Sequence, residues 1–101
     1  MKEFKTETIV ITKEAYLFLK QENRKKAGCA PLNQEQLERV WARVSRFRNN
    51  GASYEKHPIA ENEVRIMRGS FNFTLERMKE LLKANEFTYR QDGFIAEGIE
   101  L

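Results

Sequence analysis

Cysteine and histidine are each present once in this chain, and long apolar runs are missing. The single Cys29 excludes an intrachain disulfide framework and a multi-cysteine zinc site. Such sparing cysteine use fits a reducing, cytoplasmic setting. His57 has no second histidine or cysteine beside it, so it is a poor metal ligand. It reads as a turn or surface residue, and as a general base it lacks an evident nucleophile to serve. The longest apolar run, Ala15 to Leu19, is far short of the roughly 20 residues that span a bilayer. The opening MKEFKTET carries no apolar stretch of the signal-peptide kind, so no secretory signal is expected.

Catalytic signatures are absent too. The chain has no phosphate loop, GxGxxG, HExxH, CxxC or GxSxG. Gly28, Gly51, Gly69, Gly93 and Gly98 all have turn or cap explanations. Glu61 and Glu63 lie in a polar stretch that gives no reason for a raised pKa. Cys29 follows a basic helix end rather than opening a helix, which suits an inert thiol. The expectation is a chain with no catalytic residue, no metal and no cofactor, so an enzyme is the lesser reading.

What is present is a globular composition: 41% hydrophobic and 11% aromatic residues over 101 positions. One domain spanning residues 1–101 is expected. The net charge of +3 is unevenly spread. Residues 1–50 hold 11 Lys/Arg against 6 Asp/Glu, whereas residues 51–101 hold 7 against 9. A basic N-terminal half suggests a polyanion or an acidic protein surface as partner.

The clearest element is Leu32–Asn50, LNQEQLERVWARVSRFRNN. At about 100° per residue, Leu37, Val40, Trp41, Val44 and Phe47 fall on one core-facing stripe. Asn33 is the expected N-cap, and Glu35 sits in the first turn where the helix dipole favours an anion. Arg39, Arg43 and Arg46 lie on the opposite face, with Arg48 near the end. Glu35 can pair with Arg39, but no acid one turn away serves both Arg43 and Arg46.

The other elements follow from local pattern. Thr6–Thr12 (TETIVIT) is β-branched and predicts a strand. Its consecutive Ile9, Val10 and Ile11 imply cover on both faces, either at the centre of a sheet or across a homodimer axis. Thr12 caps a first helix over Lys13–Ala27, with Gly28 as its C′ residue. Ala15, Tyr16 and Leu19 make one stripe of that helix, while Leu17 and Phe18 point elsewhere. Such a two-sided helix is sandwiched between elements or placed at a subunit contact. Asn49–Pro58 is a loop, with Asn50-Gly51 as a turn pair. Glu63–Arg68 alternates, placing Val64 and Ile66 inward and Arg65 and Met67 on the other face. Thr74 caps a third helix ending near Asn85, with Leu75, Met78, Leu81 and Leu82 as its stripe. Asp92-Gly93 predicts a hairpin pairing Gln91 with Phe94 and Tyr89 with Ala96, ahead of an acidic, fraying end. The expected class is α+β, in the order β-α-α-β-α-β-β with a C-terminal β-hairpin.

A strand leading directly into two helices, TETIVITKEAYLFLKQENRKK followed by LNQEQLERVWARV, resembles the opening of ribbon-helix-helix repressors. The resemblance covers roughly residues 5–46. It implies a dimer whose paired strands enter the DNA major groove, turning Thr6, Thr8 and Val10 toward the bases. A winged-helix reading, with the third helix and the Asp92-Gly93 turn as helix and wing, fails because that region is net acidic.

Three functions remain open on these residues. The first is a small regulatory protein binding nucleic acid through Lys20, Arg24, Lys25, Lys26, Arg39, Arg43, Arg46 and Arg48. The second is a protein-binding module or inhibitor, of the accessory kind common in phages and mobile elements, using the same cations on an acidic protein surface. The third is a toxin-type ribonuclease drawing on His57, Arg65, Arg68, Tyr89 and Arg90.

Overall fold

The β-branched run around Ile9 forms the middle strand of a three-stranded antiparallel sheet, between Glu63–Met67 and Arg90–Gly98. The computed structural model describes the backbone of residues 2–98 and the side chains of residues 7–93. Its elements are β1 (Lys2–Thr12), α1 (Lys13–Lys26), α2 (Gln34–Val44), β2 (Glu63–Met67), a single 3-10 turn (Ser70–Asn72), α3 (Leu75–Ala84) and β3 (Arg90–Gly98). The class is α+β, and the expected order holds through the sixth regular element. Among the described residues no helix is long and apolar enough to cross a membrane.

Local capping sets the helix ends. The Thr12 hydroxyl accepts from the Ala15 N–H, and the Thr74 hydroxyl from the Arg77 N–H. Asn33 accepts from the Gln36 N–H while the Gln36 side chain accepts from the Asn33 N–H, a full capping box. At the end of α1, Gly28 takes φ +77°. The Gly28 N–H then reaches the Lys25 carbonyl and the Cys29 N–H the Arg24 carbonyl. That pair of bonds is a Schellman stop, and glycine adopts its left-handed residue at little steric cost.

Register decides what each face of the sheet buries. Ile9 opposes Ile66 and Ile11 opposes Val64, so these four side chains share the face that meets the helices. They pack with Ala15 and Leu19 of α1 and with Leu75, Met78 and Leu82 of α3. Phe73, just before the α3 cap, joins them. Fully burying one such aliphatic contributes about 1.5–3 kcal/mol, so this layer supplies most of the driving force. The two-sidedness of α1 is satisfied within the chain. Tyr16 meets Trp41 and Phe71, while Phe18 lies against Phe87 with ring centroids 5.2 Å apart.

The opposite face carries Thr8, Val10 and Arg65, all buried. It is closed by the loop between α2 and β2. Arg65 is fully buried, not solvent-facing as the alternation suggested. Its Nε donates to Asn49 Oδ1 at 2.9 Å, its Nη1 to Asp92 Oδ2 at 2.8 Å and its Nη2 to the His57 carbonyl at 3.2 Å. Thr8 donates its hydroxyl to the Asp92 carbonyl beside them.

Three further expectations change. The helix expected to reach Asn50 ends at Val44, because the following chain turns to cover the outer edge of β2. There the Arg65 N–H donates to the Arg48 carbonyl at 2.7 Å, and the Asn50 amide to the Arg65 carbonyl. Phe47 therefore leaves the core stripe and stands 73% exposed. No residue of α2 is fully buried, and Trp41 and Val44 pack against the core only partly.

Asp92-Gly93 does not turn. Arg90–Gly98 is one strand running antiparallel to β1, which is long enough to template it, with Asp92 opposite Thr8 and Gly93 opposite Glu7. The side chains of Phe94 and Ala96, and residues 99–101 with the expected frayed end, lie outside the described residues.

Both edges of β1 at Thr8–Val10 are taken by β2 and β3, and Thr8 and Val10 are buried. That stretch therefore forms neither the exposed ribbon of a repressor dimer nor a strand paired across a dimer axis. The Thr6 side chain lies outside the described residues.

Candidate anion-binding cleft

The early end of α2 leaves part of the helix-side layer open. Over Val64 and Ile66 of β2, the chain forms a cleft of about 560 Å³. Tyr16, Lys20 and Asn23 line it from α1, and Arg43 and Val44 from the last turn of α2. Phe47 and Asn50 come from the following loop, and Ser70 and Phe71 from the 3-10 turn. The i, i+4, i+7 spacing of Tyr16, Lys20 and Asn23 puts them on one face of α1. None of these lining residues is acidic.

Of the eight expected cations, the fold brings two together here, Lys20 and Arg43. Four others are engaged within the chain. Arg24 Nε donates to the Ala30 carbonyl at 2.9 Å. Lys26 Nζ donates to the Asn72 carbonyl at 3.1 Å and sits over the Phe73 ring. Arg39 pairs with Glu35 at 2.6 Å. Arg48 donates to the Ala60 and Glu63 carbonyls and lies over Tyr54, staking down the loop. Lys25 lines a separate depression with Glu22 and Arg77, and Arg46 is exposed away from the cleft lining. Among the described residues, neither Lys20 nor Arg43 has an ion-pair partner, whereas Lys13, Arg39, Arg65, Arg77 and Arg90 each have one.

The cleft walls are shaped by backbone that side chains rarely adopt. Phe71 sits at φ +58°, ψ +20°, and Asn72 follows at φ +60°. A bulky residue in this left-handed region costs about 1–2 kcal/mol. The Tyr16 ring, 4.9 Å away between centroids, and the Lys26 bond to the Asn72 carbonyl hold the turn in place. Strain of this kind tends to gather at functional sites. Burial pushes the Tyr16 phenol above its ordinary value, so its hydroxyl stays protonated.

The residues considered for a ribonuclease do not gather around a free reactive group. Arg65 has its guanidinium taken up by internal acceptors, and Arg90 donates to the Pro58 carbonyl at 3.2 Å. Tyr89 packs on the apolar core, and Arg68 lines another depression beside Glu7 and Glu76. His57 contributes its backbone carbonyl to Arg65 and to the Asn49 amide.

Tyr16, Asn23, Phe47, Asn50, Ser70 and Phe71 were not among the sequence candidates. The usable signal was Asn49-Asn50-Gly51: a turn so close behind Phe47 argues against a helix carrying that ring into the core. None of the protein-family models, curated proteins or solved structures compared with this chain matches it.

Proposed function

We propose that the protein is a non-enzymatic nucleic-acid-binding protein whose contact centre is the cleft between Lys20 and Arg43. One observation carries this reading. Two cations, from two different helices and without carboxylate partners, converge on a cleft lined by no acid. A phosphate entering this cleft meets positive charge from both helices and no carboxylate. Lys25 and Arg46 are also without ion-pair partners among the described residues, but only Lys20 and Arg43 of the eight cations share one acid-free cleft.

The test is a fluorescence anisotropy titration against labelled single-stranded and duplex oligonucleotides across a salt series. Each phosphate contact contributes about 0.7 to the slope of log K against log salt for a single strand, and about 0.9 for a duplex. Lys20→Ala with Arg43→Ala should lower that slope by about 1.4 or 1.8 respectively, while Arg39→Ala leaves it nearly unchanged. Absence of binding to either form at low salt overturns the reading. A partner pulled from lysate that survives nuclease would instead support an acidic protein surface on the same cations.

A further inference from the structure

Lys20 and Arg43 explain attraction to any phosphate chain. They do not explain why aromatic rings crowd the same cleft. Phe47 is 73% exposed, an unusual position for a phenylalanine in a chain with a well-filled apolar core. Phe71 is held at the cleft wall in a backbone conformation unfavourable for a bulky residue. The remaining polar lining consists of the amides of Asn23 and Asn50 and the hydroxyl of Ser70. The Asn23 amide and the Ser70 hydroxyl can both donate and accept, as the edge of a nucleobase does, while Asn50, whose amide nitrogen is bonded to the Arg65 carbonyl, offers its oxygen.

We infer that the cleft binds an unpaired nucleotide of a single strand, with its base on the Phe47 ring and its phosphate between Lys20 and Arg43; this rests on the nucleic-acid reading above. The chemistry separates a single strand from a duplex. In a duplex both faces of each base are covered by neighbouring bases, so Phe47 has nothing to stack on. In a single strand the base face is free, and stacking on an aromatic ring tolerates any base. A volume of about 560 Å³ suits one small ligand-sized group and not the body of a double helix. The floor of the cleft is apolar, formed by Val64 and Ile66 where they emerge from the core.

The experiment compares four ligands of matched charge at one ionic strength: a ribo-uridine decamer, a deoxyuridine decamer, a duplex and inorganic polyphosphate. The proteins are the full chain, Phe47→Ala and Phe47→Leu. Phe47 is exposed, so neither substitution should shift the urea midpoint, which is measured alongside. The full chain should prefer the single strands at least about tenfold over duplex and polyphosphate. Phe47→Ala should weaken single-strand binding by about 5- to 150-fold, the range for losing one aromatic platform. Phe47→Leu should be nearly as weak, because it keeps apolar bulk and lacks a π face. The ribo and deoxy strands distinguish the source: equal affinity means the base and phosphate are read, and a ribo preference adds a contact to the 2′-hydroxyl. If Phe47→Ala leaves affinity unchanged while Lys20→Ala with Arg43→Ala abolishes it, the cleft reads charge alone and the stacking proposal fails while nucleic-acid binding stands. If no strand binds at all, the nucleic-acid reading itself has failed.

Discussion

The two faces of the sheet are closed by different chemistry. On the helix side, Ile9, Ile11, Val64 and Ile66 meet apolar side chains of α1 and α3, and contact there is non-directional. On the loop side, Arg65 takes the centre and is bonded by Asn49, Asp92 and the His57 carbonyl. A face filled by dispersion and area tolerates a change of shape if volume is kept. A face built around one buried charge depends on particular donors meeting particular acceptors. The functional consequence differs as well. The apolar side positions the helices that carry Lys20 and Arg43, while the Arg65 side fixes the loop that presents Phe47 and Asn50.

Substitutions at the centre of each face test that difference most directly, and those at Arg65 carry the largest expected effects. Arg65→Ala takes the buried donor from Asn49 Oδ1 and Asp92 and leaves the His57 carbonyl with the Asn49 amide alone, and should cost about 3–5 kcal/mol in urea unfolding. Arg65→Lys keeps the charge but loses the planar fork, and with at least two acceptors deprived should still cost about 2–3 kcal/mol. Leu82→Met, at a fully buried site on the other face, keeps volume and should cost less than about 1.5 kcal/mol. If Arg65→Lys proves as mild as Leu82→Met, the two faces do not differ in kind.

The same contrast explains what could be read in advance. Thr12, Asn33 and Thr74 were recognisable as caps because capping is settled within three residues. The Ile9-Val10-Ile11 run correctly implied cover on both faces of β1. With Val10 covered, its neighbour across the strand pair, Arg65, is covered as well. The partners of Arg65 come from Asn49 and Asp92, 16 and 27 residues away, and alternation within β2 carries no trace of them. The early end of α2 has the same origin. Arg48 and Asn50 leave the helical path to bond the backbone of Arg65, so a pattern read along residues 32–50 alone extends the helix too far. Of the cleft, sequence offered the two cations and not the aromatic lining, because their meeting depends on that same long-range contact.

A smaller effect on the loop-side face should appear in acid. The Asp92 carboxyl is held below the usual carboxylate range, chiefly by the N–H it accepts from Arg65; partial burial opposes this, and the charges of Arg65, His57 and Arg90 add to it. A lowered folded-state pKa means the folded chain favours the ionised form. Its contribution to stability is present above the unfolded-state value of about 3.9 and drains away as pH falls toward the folded value. The Asp92 side chain is 30% exposed, so water takes over part of the lost bonding and the effect should be smaller than that of Arg65→Ala. Urea midpoints from pH 6 down to about pH 2.5 should therefore fall more steeply for the unaltered chain than for Asp92→Asn. Parallel curves would show that this ion pair does not distinguish the loop-side face.

The smallest effect concerns how far the apolar layer extends. α2 lies on the helix side of the sheet, yet none of its residues is fully buried. Its N-terminal end is set by local chemistry, the reciprocal bonds between Asn33 and Gln36. Asn33→Ala removes the cap acceptor and should cost about 1 kcal/mol. Because α2 adds only half-buried side chains to the core, that loss should stay local. Amide hydrogen exchange should rise along Gln34–Val44 and remain unchanged at Leu19 and Leu82. A matching rise in α1 and α3 would make α2 a full member of the layer, and the helix side would then respond as one cooperative unit. If the rise stays in α2, the element carrying Arg43 is free to fray and reclose over the cleft while the sheet and the element carrying Lys20 hold still. Ligand binding to the cleft should then suppress exchange in α2 more than in α1.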